Sequence, residues 1–275
     1  MKKKSTLPLL ALLITSFLFH STYYAQTYGK NGMVVSDNAV ASKVGMEILK
    51  IGGNAIDASV ATAFALAVTH PQAGNIGGGG FLVFMDSAGH STTIDFREKA
   101  PLLASPTMFL DESGTLIKGS NHRGLKSVGV PGTVAGLYLA HQKYGTLPWE
   151  AVVQPSIDLA NNGVVLSWTL AQHAKRLNSR FSTKFLRNYY KNSNGQVTKF
   201  GEVWVQKSLA NTLTLIRDHG KDGFYKGAVA EEIAAFMKAN GGIITLEDLS
   251  KYEAVEREAL KGTYKEYEII AMPPP

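Results

Sequence analysis

The stretch Ala55–Thr69 (AIDASVATAFALAVT) constrains this chain more than any other. Asn54 offers a helix N-cap and Pro71 a stop, and the Ala-rich sequence between them suits a helix. Such a helix is apolar nearly all round. It has no face to offer water, so other elements must bury it on most sides. The 275-residue chain has the material to do this, since 45% hydrophobic with 18% charged residues is a globular balance. That balance excludes intrinsic disorder as the main reading. The length allows one large domain or two small ones.

Around this helix the spacing predicts a mixed α+β chain. Ser36-Asp37-Asn38 offers caps for a helix over Ala39–Lys50, with Val40, Val44, Ile48 and Ile51 on one face and Gly52-Gly53 at its end. Phe81–Met85 and Thr92–Phe96 read as a hairpin across Ser87-Ala88-Gly89, the strongest β signal present. Further helices are expected over Thr133–Tyr144, from Pro148 to about Asn162, around Val205, Leu209, Leu213 and Ile216, and over Val229–Ala239. Thr245 with Asp248 reads as a capping box opening a short helix to Tyr252. Tyr267–Met272 reads as a strand running into Pro273-Pro274-Pro275. Proline cannot donate to a ladder, so the pairing of that strand is expected from elsewhere, with a missing downstream segment as the simple explanation. Ser179–Asn194 is polar and reads as an exposed loop or insertion.

Residues 1–25 read as a secretory signal: Lys2–Lys4, an apolar run over Leu7–Phe19, and Ala25 as a cleavage residue despite the bulky Tyr23. The alternative is an uncleaved anchor, but the run is shorter than the ~18–20 residues that span a bilayer. The chain is therefore expected to be exported, to the periplasm or the medium, with no stable membrane insertion after cleavage. Three of the +6 formal charges sit on Lys2–Lys4 and no acid lies in that segment, so its loss leaves +3. That is an ordinary surface charge and no argument for nucleic acid. The absence of cysteine excludes disulfides, zinc fingers and thiolate catalysis.

Few residues carry a chemical signal. Gly77–Gly80 lacks the Lys-Ser or Lys-Thr of a P-loop, and Leu82 stands where a dinucleotide fingerprint needs glycine. The run is either a tight turn with close backbone packing or a surface that a substrate or second segment approaches closely. The histidines show no ligand spacing, so no metal is expected, and His70 before Pro71 reads as a helix-end residue. No GxSxG elbow is present. Arg97, in Asp95-Phe96-Arg97-Glu98-Lys99-Ala100-Pro101, ends the return strand of the hairpin. Its fork suits a carboxylate ligand, and equally an ion pair with Asp95, Glu98 or another acid.

A set of blocks resembles the γ-glutamyltranspeptidase family. They are Gly52-Gly53-Asn54-Ala55-Ile56-Asp57-Ala58, Thr69-His70-Pro71, Gly74-Asn75-Ile76-Gly77-Gly78-Gly79-Gly80-Phe81, and Asp95-Phe96-Arg97-Glu98 with Ala100-Pro101. They continue with Val130–Gly136, Tyr144–Pro148, Gly223–Gly227, Gly241-Gly242 with Asp248-Leu249, and Met272–Pro275. The resemblance implies an N-terminal-nucleophile hydrolase with a four-layer αββα sandwich, incomplete here because the small-subunit part is absent. It implies a precursor that cuts itself, freeing a threonine whose hydroxyl attacks the γ-glutamyl amide of glutathione or a related compound. A γ-glutamyl-enzyme then passes its acyl group to water, an amino acid or a peptide. No cofactor or metal is implied. Arg97 falls on the arginine that binds the α-carboxylate of the γ-glutamyl group.

One departure bears on activity. No threonine here is followed by Thr-His and an aromatic residue, the setting of the family's nucleophile. The expectation is that 26–275 is the large-subunit portion of a truncated precursor, whose partner is the small subunit and which is inactive alone. Two alternatives remain open: a catalytically dead short homologue that binds a γ-glutamyl ligand or a partner subunit, and a related acylase. The arginine, which favours a free α-carboxylate, argues for glutathione-like donors over the acylase.

Overall fold

A buried helix organises the body of the protein. The computed structural model describes residues 28–180, 189–192 and 194–275. The signal segment expected at 1–25 lies outside the described residues, as do 181–188 and 193 of the expected polar loop. Met1–Met33 and Val34–Pro275 form separate units. The helices are α1 (Ala39–Lys50), α2 (Ala55–Thr69), α3 (Thr133–Tyr144), α4 (Trp149–Asn162), α5 (Trp168–Arg180), α6 (Lys207–His219), α7 (Asp222–Tyr225), α8 (Gly227–Ala239) and α9 (Leu246–Ser250). The strands are β1 (Phe81–Met85), β2 (Ser91–Asp95), β3 (Val164–Val165), β4 (Val203–Trp204), β5 (Val255–Glu258), β6 (Leu260–Tyr264) and β7 (Tyr267–Ala271).

Helix α2 runs over the expected residues. The Asn54 side chain accepts from the amides of Ile56 and Asp57, and the Asp57 carboxylate accepts from the Asn54 amide, closing a capping box. The helix packs against α1, α3 and α4. At the start of α4, Trp149 meets Phe64 edge-on at 5.7 Å, and its indole donates to the Ile216 carbonyl of α6 at 2.9 Å. On α1 the buried face differs from the expected one. Ala41, Gly45 and Ile48 are buried, whereas Val40 and Ile51 are exposed. Close approach selects small residues here, because a Cβ on Gly45 would lie 2.3 Å from the Thr62 hydroxyl of α2.

Strands β1, β2 and β5 form an antiparallel sheet with β2 in the middle, in register Phe81↔Asp95 and Ile94↔Glu256. One face meets the helices: Ile94 is fully buried, and the Phe84 ring lies 5.0 Å from Tyr144 of α3. On the other face Phe81, Val83, Met85 and Val255 stand 38–58% exposed. The described layers are thus helices on one side of a small sheet, in a mixed helix and strand fold.

Two further expectations need correction. The partner of β7 is β6, directly upstream, in register Leu260↔Ala271. The sequence of β6, LKGTY, lacks apolar alternation and hid this hairpin. Within the described part of the polar stretch, Tyr190 is buried and stacks on Trp204 with ring centroids 4.9 Å apart.

Candidate functional site

The glycine run and the end of β2 meet. Gly80 and Phe96 exchange the last backbone hydrogen bonds of the hairpin, at 3.3 and 3.1 Å. Phe96 turns into the core, so strand alternation sends Asp95 and Arg97 to the open face. Room for this comes from glycine. A Cβ on Gly79 would sit 2.5 Å from the Phe96 carbonyl, and one on Gly136 of α3 would sit 2.2 Å from the Phe96 ring. The Gly78 carbonyl accepts from the amides of Gly132 and Thr133 at 2.7 and 3.1 Å, capping α3. Close packing accounts for Gly78–Gly80: Gly79 and Gly80 are approached by residues 96–98 of this chain, and Gly78 by the Asn75 side chain.

Arg97 is half exposed on the open face. Its Nε lies 3.5 Å from a Glu98 carboxylate oxygen, and its guanidinium carbon lies 5.7 Å from the Phe81 ring centroid. The ion pair foreseen for Arg97 is therefore with Glu98. It is single-pronged and wet, hence weak, and it leaves a fork available for a carboxylate. Asp95 takes a different partner: one oxygen accepts from Arg257 Nε at 2.9 Å and the other from the Arg97 amide at 3.0 Å. Tyr252 donates its hydroxyl to the Arg97 carbonyl at 2.7 Å. Burial, reinforced by the charges of Asp95 and Glu98, raises the Tyr252 pKa, so the phenol stays protonated. Reasoning from sequence missed Tyr252 and Arg257. Arg257 lay in the polar run VERE, where no strand was expected, and nothing in sequence marks Tyr252 as a partner of Arg97.

The other residues weighed earlier are engaged elsewhere. The Thr69 hydroxyl donates to the Ala65 carbonyl at 2.9 Å within α2. His70 caps α2, with Nδ1 3.0 Å from the Gln72 amide nitrogen. Among the described residues, no three His, Asp or Glu side chains form a group able to hold a metal ion. No described helix is long and apolar enough to cross a membrane.

Known proteins resemble this chain in sequence and fold. The glutathione hydrolase proenzyme of Pseudomonas sp. (strain A14) is 45% identical across 97% of this chain and 47% of its own length. That of Escherichia coli (strain K12) is 47% identical across 90% of this chain and 43% of its own length. The chain thus spans less than half the length of these relatives. The crystal structure of Helicobacter pylori gamma-glutamyltranspeptidase superposes with a TM-score of 0.87 at 44% identity, over 90% of this chain and 72% of that one. A sequence profile of gamma-glutamyltranspeptidases matches residues 41–275, so the chain belongs to the gamma-glutamyltranspeptidase family.

Proposed function

We propose that this chain is the large-subunit portion of an exported γ-glutamyltransferase, or glutathione hydrolase, with residues 1–25 as its signal. Arg97 receives the α-carboxylate of the γ-glutamyl group. The nucleophilic threonine comes from the small subunit of the same precursor, and the complete fold is a four-layer αββα sandwich. The word proenzyme in the names of the relatives supports a cleaved precursor. The open apolar sheet face supports a second sheet stacked upon it.

In the reaction, the threonine hydroxyl attacks the γ-glutamyl carbonyl while its own α-amine takes the proton. Oxyanion donors stabilise the tetrahedral state, and the amine leaves with a proton. Water, an amino acid or a peptide then takes the acyl group. The contribution of this chain is orientation: a charged fork at a rigid strand end holds the carboxylate while the amide reacts.

The observation that carries this reading is Arg97, half exposed beside Phe81 on the open face. Release of nitroaniline from γ-glutamyl nitroanilide tests it. The full-length protein, once self-cleaved, is expected to turn the substrate over, and the purified 275-residue chain is expected to be inert. Turnover by the chain alone would refute the division of labour proposed here.

A further inference from the structure

Arg97 lies one residue beyond the last ladder hydrogen bonds, so its own peptide groups need other partners. Two side chains supply them. Asp95 accepts from the Arg97 amide at 3.0 Å, and Tyr252 donates to its carbonyl at 2.7 Å. Both side chains are themselves braced. Asp95 is 7% exposed and paired with Arg257. Tyr252 is 3% exposed and lies flat against Tyr225, with centroids 5.6 Å apart and planes 8° from parallel. A Cβ on Gly132 would fall 2.1 Å from the Tyr252 hydroxyl oxygen, so that oxygen fits only because residue 132 is glycine. By contrast, the Arg97 side chain has one exposed ion pair and a ring contact, neither strong enough to fix its direction.

We propose that Tyr252 and Asp95 are positioning residues: by holding the carbonyl and the amide of Arg97, they aim its guanidinium across the open sheet face at the substrate carboxylate. The proposal rests on the reading of Arg97 as the carboxylate ligand.

The test uses the full-length, self-cleaved protein and two donors, γ-glutamyl anilide and the γ-aminobutyryl anilide that lacks the α-carboxylate. Tyr252→Phe keeps the ring stack and drops one donor, and Asp95→Ala drops the acceptor. Each is expected to raise KM for the carboxylate donor roughly three- to tenfold, the scale of one lost hydrogen bond, with kcat nearly unchanged. Turnover of the γ-aminobutyryl donor is expected to stay as it was. Thr198→Val removes a buried hydroxyl that donates to the Tyr190 carbonyl at 2.9 Å, a bond that involves neither Arg97 nor its two supports, and is expected to leave both donors alone. Equal losses on both donors, or the same loss from Thr198→Val, would mean general support of the fold and overturn the proposal. Arg97→Ala separates the proposal from the reading beneath it. If Arg97→Ala abolishes the preference for the carboxylate donor while the other two variants keep it, positioning alone fails. If Arg97→Ala keeps the preference, both fall. Should Asp95→Ala not self-cleave, Tyr252→Phe decides the matter by the same comparison.

Discussion

Gly77 and Gly79 belong to one run and have opposite tolerances. A Cβ at Gly79 meets backbone at 2.5 and 2.9 Å, whereas one at Gly77 meets nothing within 4 Å. Gly79→Ala is expected to cost roughly 1–3 kcal/mol in urea unfolding, and Gly77→Ala less than about 0.5 kcal/mol. Equal effects would show that the run is not packed as described. Arg97 gives a second expectation at this scale. In the full-length protein, Arg97→Lys replaces a fork by a point charge and is expected to raise KM for a γ-glutamyl anilide about tenfold or more. An unchanged KM sinks the assignment. The position of Arg97 at a strand end was legible because alternation and the turn fix it locally. Its pairing with Glu98 rather than Asp95 was not, because Arg257, from a strand 160 residues downstream in sequence, claims Asp95.

Among the elements, caps and stops were read best. Helices α1, α2 and α3 begin and end where Asn38, Asn54, Pro71 and the glycines put them, since a cap is a contact between near neighbours in sequence. Asp57 does more than cap. It is 0% exposed and also accepts from the Thr146 amide and hydroxyl, at 3.1 and 2.6 Å, tying α2 to the turn after α3. Asp57→Ala strands those donors and is expected to cost about 2–4 kcal/mol in denaturant unfolding. Glu256 ties β5 to α3 in a similar way. It accepts hydrogen bonds from Lys143, Tyr144 and Thr92, and the first two hold its carboxyl below the ordinary 4.5. The folded group therefore ionises more readily than the unfolded one. Its contribution is complete above the unfolded value and is lost as pH falls through the lower native one. The gap in Tm between wild type and Glu256→Gln is expected to narrow as pH drops below about 4.5, and a constant gap would show that the charge is irrelevant.

Over the whole molecule, the open sheet face dominates behaviour. Phe81, Val83, Met85 and Val255 present apolar side chains beside a strand edge that no described strand covers, a combination that invites association. The isolated chain is expected to self-associate in light scattering, and Val83→Lys to reduce that while blocking assembly of the full-length protein. A monomeric wild-type chain would contradict this. That β5 completes this sheet could not be read from sequence, because β5 pairs with β2 across more than half the chain and its sequence, VERE, carries no alternation. By itself the sequence determined the helix α2, its caps, the hairpin and the motif blocks, all of which depend on near neighbours and on which residues are apolar. Only the tertiary structure decided which face of α1 is buried, which acid meets Arg97, and that Tyr252 reaches the Arg97 carbonyl. Those outcomes depend on how closely distant segments approach, and that distance is set by the glycines and small residues at each contact.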